Sequence, residues 1–255
     1  MLERHYTMSK TMNPINYKEY PECMFAMLSA FLPGSEGHYL RRVAGGVQFR
    51  STDENGNTYR NGLLHSYDNQ PAFINGNRQE WWYNGKCHRD DDQPAVIDGN
   101  RQEWWYNGKY HREGDLPAVI EGNRQEWWYN GECHRDDDQP AVIEGNRQEW
   151  WFNGKRHREG DLPALIIGNL QEWYKNGSLH REGDLPAIQQ HGVQELWYRN
   201  GQRHRDGDRP AVIIGIYKEW YINGLKHREG GNPAVVVGRW KEWWITGIMI
   251  RAVSE

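Results

Sequence analysis

Asn-Gly pairs recur along most of this chain at a fixed spacing, and nearly all of them directly follow a run of apolar or aromatic residues. Eight of these pairs follow one another at intervals of 23 residues, except for one interval of 24. Recurrence at a single period of this length is typical of repeat proteins, in which each copy is one supersecondary unit. The sequence therefore predicts eight repeats, which begin at Asn61, Asn84, Asn107, Asn130, Asn153, Asn176, Asn200 and Asn223.

The aromatic run before each pair and the short segment after it have the composition of two paired strands. Asn and Gly both tolerate the positive φ angles of a type I′ turn, so the pair is a strong hairpin signal between aromatic segments. A two-residue turn at Asn84-Gly85 also fixes which residues face each other across the hairpin. The predicted pairs are Tyr83/Lys86, Trp82/Cys87, Trp81/His88 and Glu80/Arg89.

One tryptophan and one histidine face each other in this register in nearly every repeat, and they form a set that we name the structural ladder. Because side chains alternate between faces along a strand, these residues share one face. We expect each histidine to stack on its cross-strand tryptophan and to bond a neighbouring backbone group, and Trp127 to stack between Trp104 and Trp150. The ladder comprises Trp81, Trp104, Trp127, Trp150, Trp173, Trp197, Trp220 and Trp243 with His88, His111, His134, His157, His180, His204 and His227.

The aromatic residue after each constant tryptophan lies on the opposite face, in a set that we name the second aromatic ladder. Two interpretations of it are open. The rings either pack against the strands that follow Pro-Ala, or remain partly exposed as a partner-binding face, since Trp, Tyr and Arg dominate interface hot spots. The set comprises Trp82, Trp105, Trp128, Trp151, Tyr174, Tyr198, Tyr221 and Trp244.

Glutamate and arginine also face each other in the predicted register, beside the second aromatic ladder. In the repeat with the extra residue, Leu196 occupies the glutamate position, which predicts a β-bulge there. The further predicted pairs are Glu103/Arg112, Glu126/Arg135, Glu149/Arg158, Glu172/Arg181, Glu219/Arg228 and Glu242/Arg251.

A polar loop after each histidine leads to Pro-Ala and a short apolar strand, and a glycine such as Gly99 or Gly122 then reverses the chain. Because proline interrupts a regular strand, we expect a kink at this point. The predicted fold class is all-β: a single-layer antiparallel β-meander solenoid of eight hairpin repeats, with two kinked strands per repeat and a short N-terminal helical cap. At about 4.8 Å per strand, eight repeats would reach roughly 75–80 Å.

The chain ends outside the repeats are assigned to caps. The stretch between Pro21 and Pro33 predicts a short buried helix, which either caps the first hairpin or docks into a partner. The end hairpins lose the internal signature, as capping repeats do, and the predicted pairs there are His65/Thr58 and Trp243/Ile250. The assigned segments are 1–44 (N-terminal segment with the helix), 45–60 (N-terminal capping half-repeat), 61–245 (eight repeats) and 246–255 (C-terminal capping strand).

These repeats resemble the MORN family. The shared elements are the 23-residue period, an aromatic residue two before the turn, then "NGK", one variable residue and histidine, as in "WYNGKCH" and "WYINGLKH". The likeness is closest to variant MORN-like arrays that are abundant in large DNA viruses of amoebae. The family's glycine after the histidine is arginine in seven of the eight repeats here, and Ser66 in the first. The resemblance covers about three-quarters of the chain; it implies a β-hairpin solenoid that acts in assembly, scaffolding or membrane attachment, without catalysis.

Composition indicates a core of few, large side chains in a reducing compartment. Only 37% of residues are hydrophobic, yet the chain has 14 Trp and 14 Tyr. Three cysteines (Cys23, Cys87 and Cys133) are too few for a disulfide framework, and their odd number fits a cytoplasmic protein, or one incorporated in a virion. The longest apolar run, Met24 to Leu32, is shorter than the roughly 20 residues that a membrane helix needs.

No motif for catalysis or metal binding is present in the sequence, so we expect no enzyme activity, no catalytic residues, no cofactor and no metal. One histidine per repeat recurs every 10 Å or so, whereas zinc ligands lie about 2.0–2.3 Å from the ion, so neighbouring histidines cannot share it. The acidic loops at 90–92 and 136–138 could attract calcium. Their counterparts in other repeats include "EGD" and "GGN", and no loop has the spacing of a known calcium site, so we expect solvated turns.

Charge is unevenly distributed along the repeats. The chain carries -4 overall, with -8 on the first four repeats and +3 on the last four. This separation either favours head-to-tail self-association or reflects drift after duplication. It gives no basis for nucleic-acid binding. The leading functional hypothesis is a non-catalytic scaffold for protein–protein interaction or structural assembly, in a large DNA virus particle or its assembly. The alternative is a peripheral membrane or lipid-binding module that attaches through its basic C-terminal repeats.

Overall fold

The computed structural model describes residues 39–43 and 46–254, with side chains from residue 50 onward. All secondary structure in these ranges is β-strand, and no described helix could cross a membrane. The predicted all-β fold of repeating antiparallel hairpins is therefore confirmed. The helix predicted between Pro21 and Pro33 lies outside the described residues.

The repeats are preceded by a separate four-stranded antiparallel sheet. Its first strand lies in the segment assigned as 1–44, and its second and third strands lie mainly in the predicted capping half-repeat. Its last turn follows the expected register, since the His65 backbone N–H donates to the Thr58 carbonyl over 2.9 Å. The strands are β1 (Tyr39–Val43), β2 (Gly46–Thr52), β3 (Thr58–Arg60) and β4 (Leu63–Leu64).

Seven consecutive repeats then contribute two three-residue strands and two two-residue strands each, in a constant order, and the last hairpin follows with one three-residue strand and two longer ones. The first group is β5 (Phe73–Asn75), β6 (Arg78–Glu80), β7 (Trp82–Tyr83), β8 (Lys86–Cys87), β9 (Val96–Asp98), β10 (Arg101–Glu103), β11 (Trp105–Tyr106), β12 (Lys109–Tyr110), β13 (Val119–Glu121), β14 (Arg124–Glu126), β15 (Trp128–Tyr129), β16 (Glu132–Cys133), β17 (Val142–Glu144), β18 (Arg147–Glu149), β19 (Trp151–Phe152) and β20 (Lys155–Arg156). The second is β21 (Leu165–Ile167), β22 (Leu170–Glu172), β23 (Tyr174–Lys175), β24 (Ser178–Leu179), β25 (Ile188–Gln190), β26 (Gln194–Leu196), β27 (Tyr198–Arg199), β28 (Gln202–Arg203), β29 (Val212–Ile214), β30 (Tyr217–Glu219), β31 (Tyr221–Ile222), β32 (Leu225–Lys226), β33 (Val235–Val237), β34 (Trp240–Ile245) and β35 (Ile248–Ser254).

The chain divides into two compact units, and each contains the same two kinds of pairing. In the first unit (Met1–Gly99 with Trp104–Gly108), β5, β6 and β9 form a ladder, and β7 pairs with β8. In the second (Asn100–Glu103 with Lys109–Glu255), the three-residue strands pair consecutively from β10 to β35, while the two-residue strands form separate hairpins such as β15–β16.

Two turn types alternate along each unit, and both follow from local sequence. At Asn130-Gly131 both residues have positive φ (49° and 87°), as a type I′ turn requires, and Trp128 faces Cys133 as predicted. At Gly122-Asn123 only the glycine has positive φ (57°), which is the type II′ pattern. The predicted hairpin register is thus confirmed near the Asn-Gly turns.

The constant tryptophan joins the two kinds of pairing within a repeat. The Trp127 N–H donates to the Ala141 carbonyl on the side of the long ladder, and its carbonyl accepts from the His134 N–H of the short hairpin. The strand is interrupted at this residue, between β14 and β15. Ala141 follows Pro140 at a bend and is fully buried, so the predicted kink is present at Pro-Ala. The core is therefore a line of small clusters such as Trp127, Cys133, Ala141 and Val142.

The bulge predicted at Leu196 is wrong. Strands β25 and β26 pair without a register shift, and Leu196 faces Ile188 directly. The extra residue of this repeat lengthens the preceding turn to His191-Gly192-Val193, in which Gly192 has φ +73°. A turn accommodates an insertion without breaking ladder hydrogen bonds, whereas a bulge would break them.

The last hairpin lacks the break that characterises the internal repeats. Strand β34 runs straight through Trp243, and β35 pairs with it along its full length. A register shift between Trp243 and Trp244 places Trp243 opposite Arg251, so the predicted pair with Ile250 is wrong. The predicted pair Glu242/Arg251 is wrong for the same reason, because Glu242 faces Ala252.

Candidate functional site

The constant tryptophans of the structural ladder are held by the arginine that follows each histidine. The Arg135 guanidinium lies 3.8 Å from the centre of the Trp127 ring. It also donates to both carboxylate oxygens of Asp115, over 2.7 and 2.9 Å, and to the Pro140 carbonyl over 3.2 Å. The Trp127 indole N–H donates to the Asp115 carbonyl over 3.1 Å. One arginine thus fixes its own tryptophan, its own loop and the loop of the repeat before.

This clamp recurs through the second unit. Each arginine stacks on its own tryptophan at 3.6–3.9 Å and pairs with an aspartate of the preceding loop. Hydrogen bonds from the arginine hold the pKa of Asp115, Asp138, Asp184 and Asp208 below the ordinary value of the carboxyl group. The further clamps are Arg158/Trp150/Asp138, Arg181/Trp173/Asp161, Arg205/Trp197/Asp184 and Arg228/Trp220/Asp208.

The clamp corrects two sequence-based expectations. Glu126 does not pair with Arg135; Arg124 donates to it over 2.6 Å, and the same arrangement, with the arginine two residues before the glutamate, holds Glu80, Glu103 and Glu149. The strand break at the tryptophan is the physical reason, because it separates the glutamate from the short hairpin and sends the arginine into the loop. The second expectation was that Trp127 stacks between Trp104 and Trp150. Among residues 109–254, the Arg135 guanidinium lies over the Trp127 ring, and Trp150 does not.

The pairs Glu80/Arg89, Glu103/Arg112, Glu126/Arg135, Glu149/Arg158, Glu172/Arg181 and Glu219/Arg228 are all wrong for this reason, since in each repeat the glutamate lies in a ladder strand and the arginine in the loop after the hairpin.

The histidines connect each repeat to the turn of the next one. The His111 Nδ1 atom accepts from the Asn130 N–H over 3.2 Å, and its Nε2 lies 2.9 Å from the Glu113 carboxylate. Because Nδ1 accepts, the ring proton lies on Nε2. The ring packs on Tyr129 of the next hairpin, with centroids 4.8 Å apart. The predicted hydrogen bond to a neighbouring backbone group is present. The predicted stacking on the cross-strand tryptophan is replaced by packing on Tyr129 of the next hairpin.

The same contact, from histidine Nδ1 to the next turn, is made by His65, His88, His134, His157, His180, His204 and His227. At His65, burial lowers the pKa of the imidazole to about 4.

The second aromatic ladder is half-buried, apart from Tyr221, which is buried. Its polar tips bond to the glutamate two residues earlier: the Trp128 indole N–H donates to Glu126 over 2.8 Å, and the Tyr174 hydroxyl donates to Glu172 over 2.7 Å. Tyr198 differs because Leu196 replaces the glutamate, and its hydroxyl accepts from Arg203. Trp82, Trp151, Tyr221 and Trp244 bond to their glutamates in the same way, and Trp105 occupies the corresponding position in its hairpin.

A more exposed aromatic row, which the sequence reasoning missed, lies one residue further along each strand. We name Tyr83, Tyr106, Tyr129 and Phe152 the outer row; each is about half exposed, at 50–51%. Tyr106, Tyr129 and Phe152 pack on the histidine of the hairpin before, as Tyr129 does on His111. The signal was present in the sequence as the third aromatic of "WWY" and "WWF". In later repeats, Lys175, Arg199, Ile222 and Ile245 occupy this position.

The acidic loops are turns stabilised by hydrogen bonds. Asp137 and Asp138 both have positive φ, and the Gln139 N–H donates to the Asp136 carbonyl over 3.2 Å. Arg158 donates a hydrogen bond to the Asp138 carboxylate, and the His134 Nε2 atom lies 3.0 Å from the Asp136 carboxylate. In residues 39–43 and 46–254, no group of three His, Cys, Asp or Glu side chains is placed to hold a metal ion.

Cys87 and Cys133 are both buried and reduced. Burial, with the nearby charges of Glu126 and Glu149, raises the pKa of the Cys133 thiol to about 12, so the group stays protonated at neutral pH. A thiol in this state is a poor nucleophile and a poor metal ligand.

Comparison with protein families finds no family whose model matches this chain, and comparison with curated proteins finds no match either.

Proposed function

We propose that this chain is a MORN-like, non-catalytic scaffold that binds protein partners through its aromatic hairpin surface. The outer row is the observation that carries the proposal. Tyr129 and Phe152 each expose half of a large ring, and each ring packs on the histidine of the preceding hairpin. Rigid, half-exposed aromatic residues lose little side-chain entropy on binding and are enriched among interface hot spots.

The surrounding chemistry supports binding rather than catalysis. The ladder histidines accept hydrogen bonds at Nδ1, and the clamp aspartates are paired with arginines, as described above. A general base must have its proton-accepting atom free to reach a substrate. By extension from the outer row and the uneven charge, we propose a role in structural assembly, which includes assembly of a large virus particle.

The proposal is tested by affinity capture with the full chain and two matched variants. Tyr129→Ser with Phe152→Ser removes two rings of the outer row, and Leu162→Ser alters an apolar loop residue of similar exposure outside that row. We expect specific proteins to be retained by the wild type and the Leu162 variant and lost by the double variant, with unchanged circular dichroism. Capture that is indifferent to the double substitution would rule out the outer row as the binding surface.

A second candidate, membrane attachment, is favoured by the last hairpin. Ile248 and Ile250 are 67% and 59% exposed, and the last full repeat has four Lys/Arg against two Glu. Exposed apolar side chains beside basic residues suit an anionic bilayer surface. Flotation with phosphatidylserine vesicles tests this candidate: binding that is lost in Ile248→Ser/Ile250→Ser would support it, and the absence of binding at low salt would exclude it.

A further inference from the structure

The residue three positions after each turn asparagine lies in a slot between the second-ladder aromatic of its own hairpin and that of the next. Arg156 shows the arrangement: its guanidinium lies 5.1 Å from the Trp151 ring centre and 4.8 Å from the Tyr174 ring centre. Arg203 occupies the corresponding slot between Tyr198 and Tyr221, at 6.0 and 5.3 Å. These slots therefore accept a planar cation between two rings.

The cation in such a slot is also paired with a carboxylate at its side. Glu149 accepts from the Trp151 indole N–H over 2.9 Å and from the Arg156 Nη2 over 2.7 Å, both at the same oxygen, Oε2. Burial alone would raise the pKa of Glu149, but the bonds from Arg156 and Arg147 outweigh it and hold that pKa below its ordinary value. The carboxylate is therefore charged and complements the guanidinium.

One repeat earlier, the same slot is open because its occupant is Cys133. The side chain is too short to reach between Trp128 and Trp151, and a cavity of about 470 Å³ lies there. Its lining includes both rings, Cys133 and Glu126, and also two further glutamates and three arginines: Glu132, Glu149, Arg124, Arg147 and Arg156. The slot just before it is filled by Tyr110, whose ring centre lies 5.3 Å from that of Trp128.

Glu126 lies beside the open slot, in the position that Glu149 has beside the slot of Arg156. Glu126 Oε2 accepts from the Trp128 indole N–H over 2.8 Å, as Glu149 Oε2 does from Trp151, while a thiol stands where Arg156 would donate. A carboxylate oxygen has two lone pairs, so a second donor can be accommodated there. The repeat from residue 130 to 152 has two arginines against six acidic residues, which attracts a cationic partner.

We propose that the slot over Cys133 binds an arginine side chain of a partner protein, held between Trp128 and Trp151 and paired with Glu126. The proposal rests on the proposed scaffold function and names the chemistry of the partner at this hairpin. Arginine is the occupant because its planar guanidinium stacks on two rings and donates to a carboxylate at its edge. The molecule provides that geometry for its own Arg156.

The test is an NMR titration of the Trp128 and Trp151 indole N–H signals in the full chain. The probe is the acetylated and amidated peptide Gly-Ser-Arg-Ser-Gly, compared with peptides in which citrulline or lysine replaces arginine. We expect saturable shifts with the arginine peptide, at least fivefold weaker binding of the lysine peptide, and none with citrulline. Equal binding of the citrulline peptide, or no response to arginine, would overturn the proposal.

Two variants with the same substitution separate the slot from the rest of the surface. Cys133→Arg fills the slot from within, as Arg156 fills its own, and should abolish the shifts without loss of fold. Cys87→Arg makes the same change in another hairpin and should leave the response of Trp128 unchanged. A response that survives Cys133→Arg would place the peptide elsewhere and overturn the proposal.

A third variant covers the case in which Cys133→Arg does not fold. Glu126→Gln keeps the size of the acceptor and removes its charge, and we expect about tenfold weaker binding of the arginine peptide. Unchanged affinity would overturn the proposal. Failure of this inference is distinguishable from failure of the proposed function, because loss of captured proteins in the outer-row variant would still support the scaffold.

Discussion

The internal repeats and the last hairpin have nearly the same aromatic sequence but different backbones. At Trp127 the strand is interrupted, and Arg135 connects the ring to Asp115 and Pro140. At Trp243 the strand is continuous, although Arg251 still lies over the ring, at 4.6 Å. The position of the clamp aspartate is Gly231 there, and the residues after the arginine continue strand β35 as far as Ser254.

This difference shows that the break is imposed by the loop and its clamp and not by the tryptophan. In an internal repeat the chain must return through Pro-Ala to bond the tryptophan N–H, as Ala141 does for Trp127. In the last hairpin the chain continues after Arg251 within β35, which stays paired with β34 on both sides of the register shift between Trp243 and Trp244. The clamp therefore couples consecutive repeats.

The largest expected effect comes from removing the internal ring. Trp127→Ala deletes a buried indole from its core cluster and should cost about 3–5 kcal/mol of unfolding free energy. Trp243→Ala, at a half-buried ring, should cost about 1–2 kcal/mol. Denaturant unfolding followed by circular dichroism measures both values. Equal losses would mean that the two tryptophans have the same environment. The control Trp128→Tyr should cost far less, because Tyr174, Tyr198 and Tyr221 already occupy that position.

Removal of the arginine should separate the two regions further. Arg135→Ala loses the stack on Trp127 and the bonds to Asp115 and Pro140, and we expect a loss of about 2 kcal/mol. Arg251→Ala loses only the more distant stack, and about 0.5 kcal/mol is expected. Chemical denaturation of the two variants gives the comparison. An Arg251 effect as large as that of Arg135 would show that the aspartate and the loop contribute nothing.

Acid should weaken the clamps, because each depends on a charged aspartate. The pKa of Asp115 and of Asp138 is lowered by the paired arginine, so their contribution is complete above the ordinary carboxyl pKa of about 4. It is lost as the pH falls through the lower folded value. Thermal melts between pH 6 and pH 2 should show a smaller acid-induced drop for Asp115→Asn/Asp138→Asn than for the wild type. Identical pH profiles would contradict the clamp's electrostatic role.

The smallest effect is expected at the one irregular turn. Replacing His191-Gly192-Val193 with Gly-Asn restores the turn of the other repeats and should change the unfolding free energy by less than about 0.5 kcal/mol. The reason is that β25 and β26 already pair in the regular register. A large loss, measured by urea unfolding, would show that the insertion is coupled to the strands after all.

Local turn chemistry explains which features could be predicted from the sequence. The Asn-Gly turns, the Trp128/Cys133 register and the all-β fold follow from φ preferences and spacing, which act over a few residues. The Glu126/Arg135 pair was wrong because counting outward from the turn assumes an unbroken strand through Trp127. The clamp joins Arg135 to Asp115, 20 residues earlier in the chain. The slot over Cys133 is completed by the Trp151 ring of the next hairpin. Neither relation is encoded within one hairpin.

Each clamp couples one repeat to the repeat before it through an arginine and an aspartate. A double-mutant cycle between Arg135 and Asp115 measures this coupling. The full chain would be unfolded in denaturant as wild type, Arg135→Ala, Asp115→Ala and the double variant. We expect a coupling free energy of about 1 kcal/mol, because the bidentate bond between these side chains spans two repeats. A coupling near zero would contradict the account, since the two residues would then stabilise their own repeats independently.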